Sequence, residues 1–244
     1  MGLVLPALLL GLWELSVHTG GLDPRFFPPP SRIAAAALTL MGDGELLRHT
    51  WATVRRVSLG FAAGSLPGLL FGLVMGLSPT VRKLVWPLAS AWYPIPKIAI
   101  LPLVIILFGV GELPKVLIIA ISVFFLVLLN TMTGVLQIEQ GYRDVGRQLG
   151  AKPWQVIVSI AIPGALPLAF AGLKLAMGFG LVVIVGSEFL AADTGLGFLI
   201  WQSYQTFRID RMFVGLVATG LLGWLLTVVL DWCEARAVPW LRSS

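Results

Sequence analysis

Long apolar runs separated by short polar segments dominate the hydrophobicity pattern of this chain. Residues 57–81, 116–138 and 212–230 contain no charged side chain, and 84–111 and 153–187 contain one lysine each. A membrane-spanning helix needs about 20 mostly apolar residues. Together with the apolar N-terminus, the pattern predicts six spans, at residues 3–22, 57–77, 89–109, 115–136, 164–187 and 211–232. Lipid offers no hydrogen-bond partners and the runs are too long for barrel strands, so we expect an all-α integral membrane protein.

The composition supports a membrane protein and argues against a soluble one. Hydrophobic residues make up 57% of the chain, charged residues 12%, and the mean hydropathy is +0.92, whereas soluble domains have about 25% charged residues. The net charge of +5 comes from Lys and Arg in short gaps between apolar runs, which favours membrane anchoring over nucleic-acid binding. No polar linker divides the sequence, so residues 1–244 are expected to form one domain.

The N-terminal apolar stretch has two interpretations. Residues 2–22 could be a signal peptide, but they lack a basic start and are interrupted by Trp13 and Glu14. We interpret them as the first membrane helix and leave open whether residues precede them. Cys233 is the only cysteine, so no internal disulfide is possible, and the two histidines lack metal-ligand spacing.

Proline and glycine positions predict local structure around the first three spans. Prolines 28–30 impose a stiff extended stretch, after which Ser31 is expected to cap a short interfacial helix to about Leu40. A second short helix is expected over residues 45–56. In span three, Pro94, Pro96 and Pro102 argue against a straight helix. A broken span beside a transport pathway and a purely structural kink both remain open.

Span two has a glycine at every fourth position, on one helix face: Gly60, Gly64, Gly68, Gly72 and Gly76. This spacing predicts close approach of another helix backbone. Pro67 lies within the glycine stripe and is expected to kink the helix.

The polar segment between spans four and five, residues 139–154, is the most informative part of the sequence. It predicts a short helix ending near Leu149, with Gly150 as a left-handed C-cap and Pro153 in the first turn of the next helix. Arg143 and Arg147 are one turn apart and share a face. Such a helix–turn–helix is a plausible docking element, although an ordinary solvated loop has the same composition.

This segment resembles the cytoplasmic loop of permeases from binding-protein-dependent ABC importers. That loop has Glu-Ala-Ala, three variable residues, Gly, nine variable residues and Ile-x-Leu-Pro. The matching positions here are Asp144, Val145, Gly146, Gly150, Ile160, Ile162 and Pro163. The spacing fits throughout, but Asp, Val-Gly and Ile replace Glu, Ala-Ala and Leu, and Val145 and Gly146 weaken a helix.

The resemblance extends over nearly the whole chain and is closest to the nitrate/sulfonate/taurine subfamily. The segments that carry it are residues 22–25, 28–31, 95–103, 108–112, 188–192 and 195–197. The resemblance implies a type I ABC importer permease fold, in which residues 137–163 form a loop that couples to a cytoplasmic ATPase. The implied coupling residues are Arg143, Asp144, Val145, Gly146, Arg147, Gly150, Ala151, Ile160, Ile162 and Pro163.

The resemblance also implies partners and sidedness. The partners would be a second copy of the chain, a cytoplasmic ABC ATPase dimer, a periplasmic or lipid-anchored substrate-binding protein and membrane lipid, with no nucleic acid. No catalytic residues are expected and no phosphate-binding loop is present in the sequence, so ATP and Mg²⁺ would bind the partner ATPase and this chain would bind no cofactor. The positive-inside rule leaves orientation open. A cytoplasmic coupling loop puts both termini on the cytoplasmic side of a bacterial inner membrane.

Four residues are candidates for the translocation pathway because polar or proline residues in apolar spans usually face protein or water: Pro96, Lys97, Asn130 and Glu188. Lys97 could attract an anion such as a sulfonate or snorkel from a helix end. Glu188 could gate or pair with a helix terminus, and Lys174 is expected to serve packing. The pathway would carry a small solute, with aliphatic sulfonates as the first choice and nitrate, taurine, bicarbonate and heteroaromatic precursors open.

Two other functional classes share some of these sequence features. An ion-coupled secondary transporter also uses broken helices and buried charges, but such transporters often show two repeated halves and no repeat is visible here. For a membrane scaffold that transports nothing, the broken third span has no evident use.

Overall fold

The computed structural model describes residues 4–240, apart from the side chains of Arg143 and Arg147, and every regular element in that range is helical. The α-helices are α1 (Val4–His18), α2 (Pro30–Gly42), α3 (Glu45–Leu77), α4 (Pro79–Trp92), α5 (Leu101–Phe108), α6 (Glu112–Leu136), α7 (Gln140–Gln148), α8 (Pro153–Val156), α9 (Ile162–Ala191), α10 (Leu196–Gln205) and α11 (Ile209–Ala237). A 3₁₀-helix (Lys97–Ile100) precedes α5, and a π-helical segment (Ile157–Ala161) joins α8 to α9. The predicted all-α class is confirmed.

Four helices of the described range are long and apolar enough to cross a bilayer: α3, α6, the continuous stretch Pro153–Ala191, and α11. They contain predicted spans two, four, five and six. The third span is a bent pair, Pro79–Trp92 and Lys97–Phe108, with an angle of 84° between its parts. The prolines therefore predicted the break correctly, although the pair begins at Pro79 and not at residue 89. Helix α1 has only 15 residues. It ends before residue 22 because the chain turns at Gly20, where φ is +79°.

Two predictions for the segment between spans one and two are wrong. Ser31 does not cap α2, because the helix already begins at Pro30 and its N-cap is Pro29. Ser31 instead donates from its N–H and its hydroxyl to the carboxylate of Glu14, at 3.0 and 2.6 Å. Residues 45–56 are not a separate helix but the first part of α3, which has no glycine or proline before Gly60 to interrupt it.

The chain forms two compact units. Unit 1 comprises Met1–Arg55 and Val185–Leu222. In its core, Ile33 and Leu40 of α2 pack with Val214 of α11, and Trp13 of α1 packs against the same cluster. Unit 1 thus joins the two N-terminal helices to the end of α9, to α10 and to the start of α11.

Unit 2 comprises Arg56–Ile184 and Gly223–Ser244. One of its clusters packs Met75 of α3 against Leu128 and Met132 of α6. A second packs Leu101 of α5 against Ile118 of α6 and Val183 of α9. Helix α6 is therefore the element around which unit 2 is organised.

The glycine stripe of span two lies directly against α6, as its spacing predicts. A Cβ atom built on Gly64 would lie 2.3 Å from the carbonyl oxygen of Ala120, and one on Gly72 would lie 2.6 Å from that of Leu128. Gly60, Gly68 and Gly76 meet α6 residues at 2.4–2.9 Å in the same way. Since real Cβ contacts are essentially never shorter than 3.0 Å, only glycine permits this approach of α3 to α6.

Candidate functional site

Helix α7 occupies the polar segment between spans four and five, and it ends in the glycine cap that the sequence predicts. Gly150 has φ +72°, in the left-handed region that favours glycine. The N–H of Ala151 donates to the carbonyl of Gly146 at 3.0 Å, which is the hydrogen bond of a Schellman C-cap. Pro153 then occupies the first turn of α8. The predicted helix, cap and restart are all confirmed.

One side of α7 combines a buried glycine with exposed apolar side chains. Gly146 is buried, and a Cβ there would lie 3.1 Å from Cδ1 of Ile160, so two positions of the sequence motif pack together. Around Gly146, Tyr142, Val145 and Leu149 are 64%, 55% and 81% exposed. Their spacing of three and four residues places them on one side of the helix. This exposed apolar face belongs to a helix outside the predicted spans.

A cavity of about 590 Å³ lies in unit 2 beside α7. Its lining includes Glu139 and Tyr142 at the start of the α7 segment, Ile160 in the π-helical segment, Pro163 in α9 and Trp240 near the C-terminus. A π-helical segment inside an α-helix is rare and often marks a functional site. The structure therefore gathers Gly146, Ile160 and Pro163, which lie within 17 positions of one another in sequence, around one end of α7.

The remaining coupling candidates occupy the same stretch. Asp144 is exposed on α7, and Ala151 forms the cap described above. Ile162 begins α9 and is 38% exposed. Arg143 and Arg147 belong to α7, but their side chains lie outside the described part of the molecule.

Lys97 closes the break in the third span. Its Nζ atom donates to the carbonyl oxygens of Trp92, Tyr93 and Ile95 at 2.9, 3.0 and 2.7 Å. The side chain is buried, and Nζ lies 5.7 Å from the centroid of the Phe125 ring. The snorkelling interpretation is thus wrong, because the break leaves backbone carbonyls without helical partners and the ammonium group satisfies three of them.

Pro96 and Lys97 line one cavity of about 260 Å³ in unit 2, together with Ser122, Phe125 and Phe179. Asn130 does not line this cavity. Its Nδ2 donates to the carbonyl of Leu126 at 2.8 Å. Asn130 also packs closely against Gly172, since a Cβ built on that glycine would lie 2.5 Å from the Cβ of Asn130. The pathway residues named from the sequence are therefore only partly brought together.

Glu188 belongs to unit 1 and is fully buried at the N-terminus of α10. Its carboxylate accepts a hydrogen bond from the N–H of Gly197 at 2.9 Å and from the hydroxyl of Thr53 at 3.0 Å. Of the two roles considered for Glu188, pairing with a helix terminus is the one this geometry shows. A Cβ on Gly195 would lie 2.3 Å from the Glu188 carboxyl carbon, so the glycine makes room for the carboxylate.

Two further side chains complete the cap of α10. Thr53 accepts from the N–H of Leu196 at 2.8 Å, and Nδ1 of His49 accepts from the N–H of Gly195 at 3.0 Å. Three successive N–H groups that have no partner inside the helix are thereby satisfied. His49, Thr53 and Glu188 are all buried.

Two ion-pair clusters of unit 2 were missed from the sequence. Buried Arg56 forms a two-bond pair with Glu112, at 2.8 and 2.6 Å, and Lys115 approaches the same carboxylate at 3.4 Å. Lys174 of α9 pairs with Asp231 and Glu234 of α11, at 2.5 Å each. The partners are 56 and 60 residues apart, so no local pattern indicated these pairs. Lys174 inside one apolar run and Asp231 at the end of another were a hint.

The fold and this arrangement define a class: a polytopic membrane protein with one broken span and a short, mostly exposed helix between two long spanning helices. The family comparison agrees. Residues 68–243 match the family described as "Binding-protein-dependent transport system inner membrane component". The chain belongs to this family, and the resemblance read from the sequence is confirmed. It is therefore a multi-pass inner-membrane permease subunit of an ABC transport system.

Individual relatives extend over almost the whole chain. The taurine transport system permease protein of Escherichia coli strain K12 is 34% identical over 239 residues, which cover 96% of this chain and 87% of that protein. A putative aliphatic sulfonates transport permease protein of Bacillus subtilis strain 168 is 29% identical, with 99% and 88% covered.

A solved structure shares the fold. An inward-facing structure of the MetNI methionine ABC transporter superposes with a TM-score of 0.62 at 20% identity, covering 79% of this chain and 96% of that one. The predicted type I importer fold is confirmed.

Proposed function

We propose that two copies of this chain form the translocation pathway of an importer and that α7 couples the pathway to a cytoplasmic ATPase. The observation that carries the proposal is the exposed apolar face of α7, formed by Tyr142, Val145 and Leu149. Such a face on a helix outside the spans is costly in water unless a partner covers it. The left-handed cap at Gly150 fixes the angle at which α7 leaves the next helix.

The proposal sets the sidedness and the partners. With α7 on the cytoplasmic side, both termini are cytoplasmic, and α2, α10 and the turn between α10 and α11 are on the outer side. The partner ATPase, not this chain, binds ATP and Mg²⁺ and hydrolyses the ATP. A soluble or lipid-anchored binding protein delivers the solute. Closure of the ATPase pair moves the two α7 helices, and the spanning helices switch between inward and outward access.

The transported solute is proposed to be a small oxyanion, of the aliphatic sulfonate class. The named relatives support this class, because taurine and aliphatic sulfonates share a sulfonate group. The cavity beside Pro96 and Lys97, with Ser122 and three aromatic side chains in its wall, is the proposed part of the pathway. The roles of Asn130 and Glu188 in the pathway stay predictions.

Uptake by the reconstituted complex tests the coupling proposal. Gly150→Asp should abolish ATP-driven uptake of a sulfonate without loss of the folded permease, because a side chain at φ +72° distorts the α7 cap. Gly44→Asp is the matched control: Gly44 has φ +71°, also has no atom within 4 Å of a built Cβ, and lies in the turn after α2. Both changes cost about 1 kcal/mol of backbone strain, so only the position differs. Normal uptake by Gly150→Asp, or equal loss in both variants, would contradict the role of α7.

A further inference from the structure

Phe207, in the turn between α10 and α11, adopts a backbone conformation that is unusual for its side chain. Its φ is +53°, and it is the only residue other than glycine with a positive φ in the described range. The C-cap of α10 is Thr206, and the N–H of Arg208 donates to the carbonyl of Ser203 at 2.9 Å. Phe207 therefore occupies the position directly after the C-cap, where glycine is usual. A bulky residue there is strained. Such strain persists only where the surrounding structure holds it, and strained residues cluster at functional sites.

The strain is not offset by burial of the ring, because Phe207 is 80% exposed. Its backbone is nevertheless held firmly. Helix α10 is fixed at its start by Glu188, Thr53 and His49, and its buried face includes Leu199 and Ile200. The fold therefore presents an aromatic ring outward from a rigid support.

A cavity of about 320 Å³ in unit 1 adjoins this ring. Phe207 and Phe26 supply its aromatic surface, and Pro24 and Pro28 give one wall the stiffness of a proline-rich segment. Phe26 is itself exposed. An aromatic side chain next to a shaped cavity is the arrangement found at the centre of many protein interfaces.

The charge that reaches solvent around the cavity is positive. The side chain of Arg25 is 82% exposed and that of its partner Asp23 38%, while Arg32 is 59% exposed and Asp210 28%. Hydrogen bonds from the Arg25 side chain and N–H lower the pKa of Asp23, so this carboxylate stays ionised and paired with Arg25. Arg208 is also exposed. The guanidinium groups extend beyond the carboxylates and would face an acidic partner.

We propose that Phe207 and the adjoining cavity form the docking site for the acidic rim of the soluble substrate-binding protein. This rests on the sidedness proposed above, which places the α10–α11 turn on the outer surface, where that protein arrives. A fluid lipid surface accommodates a ring in any orientation and gives no reason for a strained, rigidly held one. A folded partner with a matching pocket does, since preorganisation of the anchor reduces the cost of binding.

The test uses Phe207→Gly, for which stability and binding should change in opposite senses. Glycine removes the ring but adopts φ +53° without backbone strain, so the apparent melting temperature should stay equal or rise. The affinity of the permease–ATPase complex in nanodiscs for the purified binding protein of the same transport system should fall at least ~10-fold, as for loss of an interface anchor. Trp224→Ala, which removes an exposed aromatic ring from α11, should leave the affinity unchanged.

Several outcomes would overturn the inference. Unchanged affinity in Phe207→Gly excludes the ring as an anchor, and weaker binding together with a lower melting temperature assigns it a structural role instead. If the variant only removes a dependence of binding on anionic lipid in the nanodisc, or changes the number of permease copies, the ring contacts lipid or a second copy. If the wild-type complex purifies with its ATPase but does not bind the binding protein, the docking site fails while the coupling role of α7 stands.

Discussion

The approach of α3 to α6 predicts that Gly64→Ala destabilises the protein although alanine is the better helix former. A Cβ at this position would lie 2.3 Å from the Ala120 carbonyl oxygen and 3.0 Å from its Cα. These are backbone atoms, so no rotamer change can relieve the overlap. The two helices would have to separate by roughly 0.7 Å to reach 3.0 Å, the shortest distance seen for real Cβ contacts.

The magnitude follows from two opposing terms. Overpacking of this kind costs about 1–3 kcal/mol, and alanine recovers up to about 1 kcal/mol of helix propensity. The close approach of α3 to α6 continues at Gly60, Gly68 and Gly72, so the helices cannot tilt locally to make room for the new methyl group. This favours the upper part of the range. We expect a net loss of about 2 kcal/mol, or a fall of roughly 4–8 °C in apparent melting temperature.

The assay is thermal unfolding of the purified permease in detergent, followed by tryptophan fluorescence. Gly178→Ala in α9 and Gly220→Ala in α11 are matched controls, since nothing lies within 4 Å of a Cβ at either position. Both should melt at the wild-type temperature or slightly above it. If Gly64→Ala is as stable as these controls, α3 and α6 are not packed as described and the reasoning is refuted.

Three further predictions concern polar side-chain contacts and are measured by the same unfolding assay. Arg56→Lys should cost about 2 kcal/mol because lysine cannot form both bonds to Glu112. Arg48→Lys, at an exposed position of the same helix, should stay within ~0.5 kcal/mol, and equal effects would contradict the pair. Lys174→Met should cost about 1 kcal/mol, because it removes the ammonium group from Asp231 and Glu234 in a partly exposed cluster. Adding Asp231→Asn and Glu234→Gln should recover much of this loss, and an additive triple variant would disprove the coupling. Gly195→Ala should cost about 3 kcal/mol or more, because the methyl group would overlap the Glu188 carboxylate. Gly20→Ala, at φ +79° and with no atom within 4 Å of the new methyl group, should cost only about 1 kcal/mol. Similar values for the two variants would argue against the α10 cap.

The sequence predicted the parts of the fold that depend on local pattern. The apolar runs located the spanning helices, the glycine spacing predicted the contact with another helix, and Gly150 and Pro153 predicted the end of α7 and the start of α8. Each of these depends on residues within a few turns of one another. The same holds for the break in span three, which its prolines predicted.

The parts that were missed depend on long-range contacts. Ser31 was expected to cap α2, but the Glu14 carboxylate of another helix takes that place. Lys97 was weighed as snorkelling or anion-binding, and its actual partners are carbonyls exposed by the break. No local pattern indicated that Thr53 and His49 would meet α10 more than 140 residues later. Such partners are set by packing of the spans, which the sequence pattern alone does not specify.

Cross-linking from α7 tests the central proposal most directly. In a Cys233→Ser background, which removes the one native cysteine, Val145→Cys places a thiol on the exposed face of α7. We predict that this thiol cross-links to the ATPase in inverted membrane vesicles. In intact cells, a membrane-impermeant maleimide added from outside should not label it. Labelling from outside, or the absence of any ATPase cross-link in a complex that still imports solute, would contradict the account.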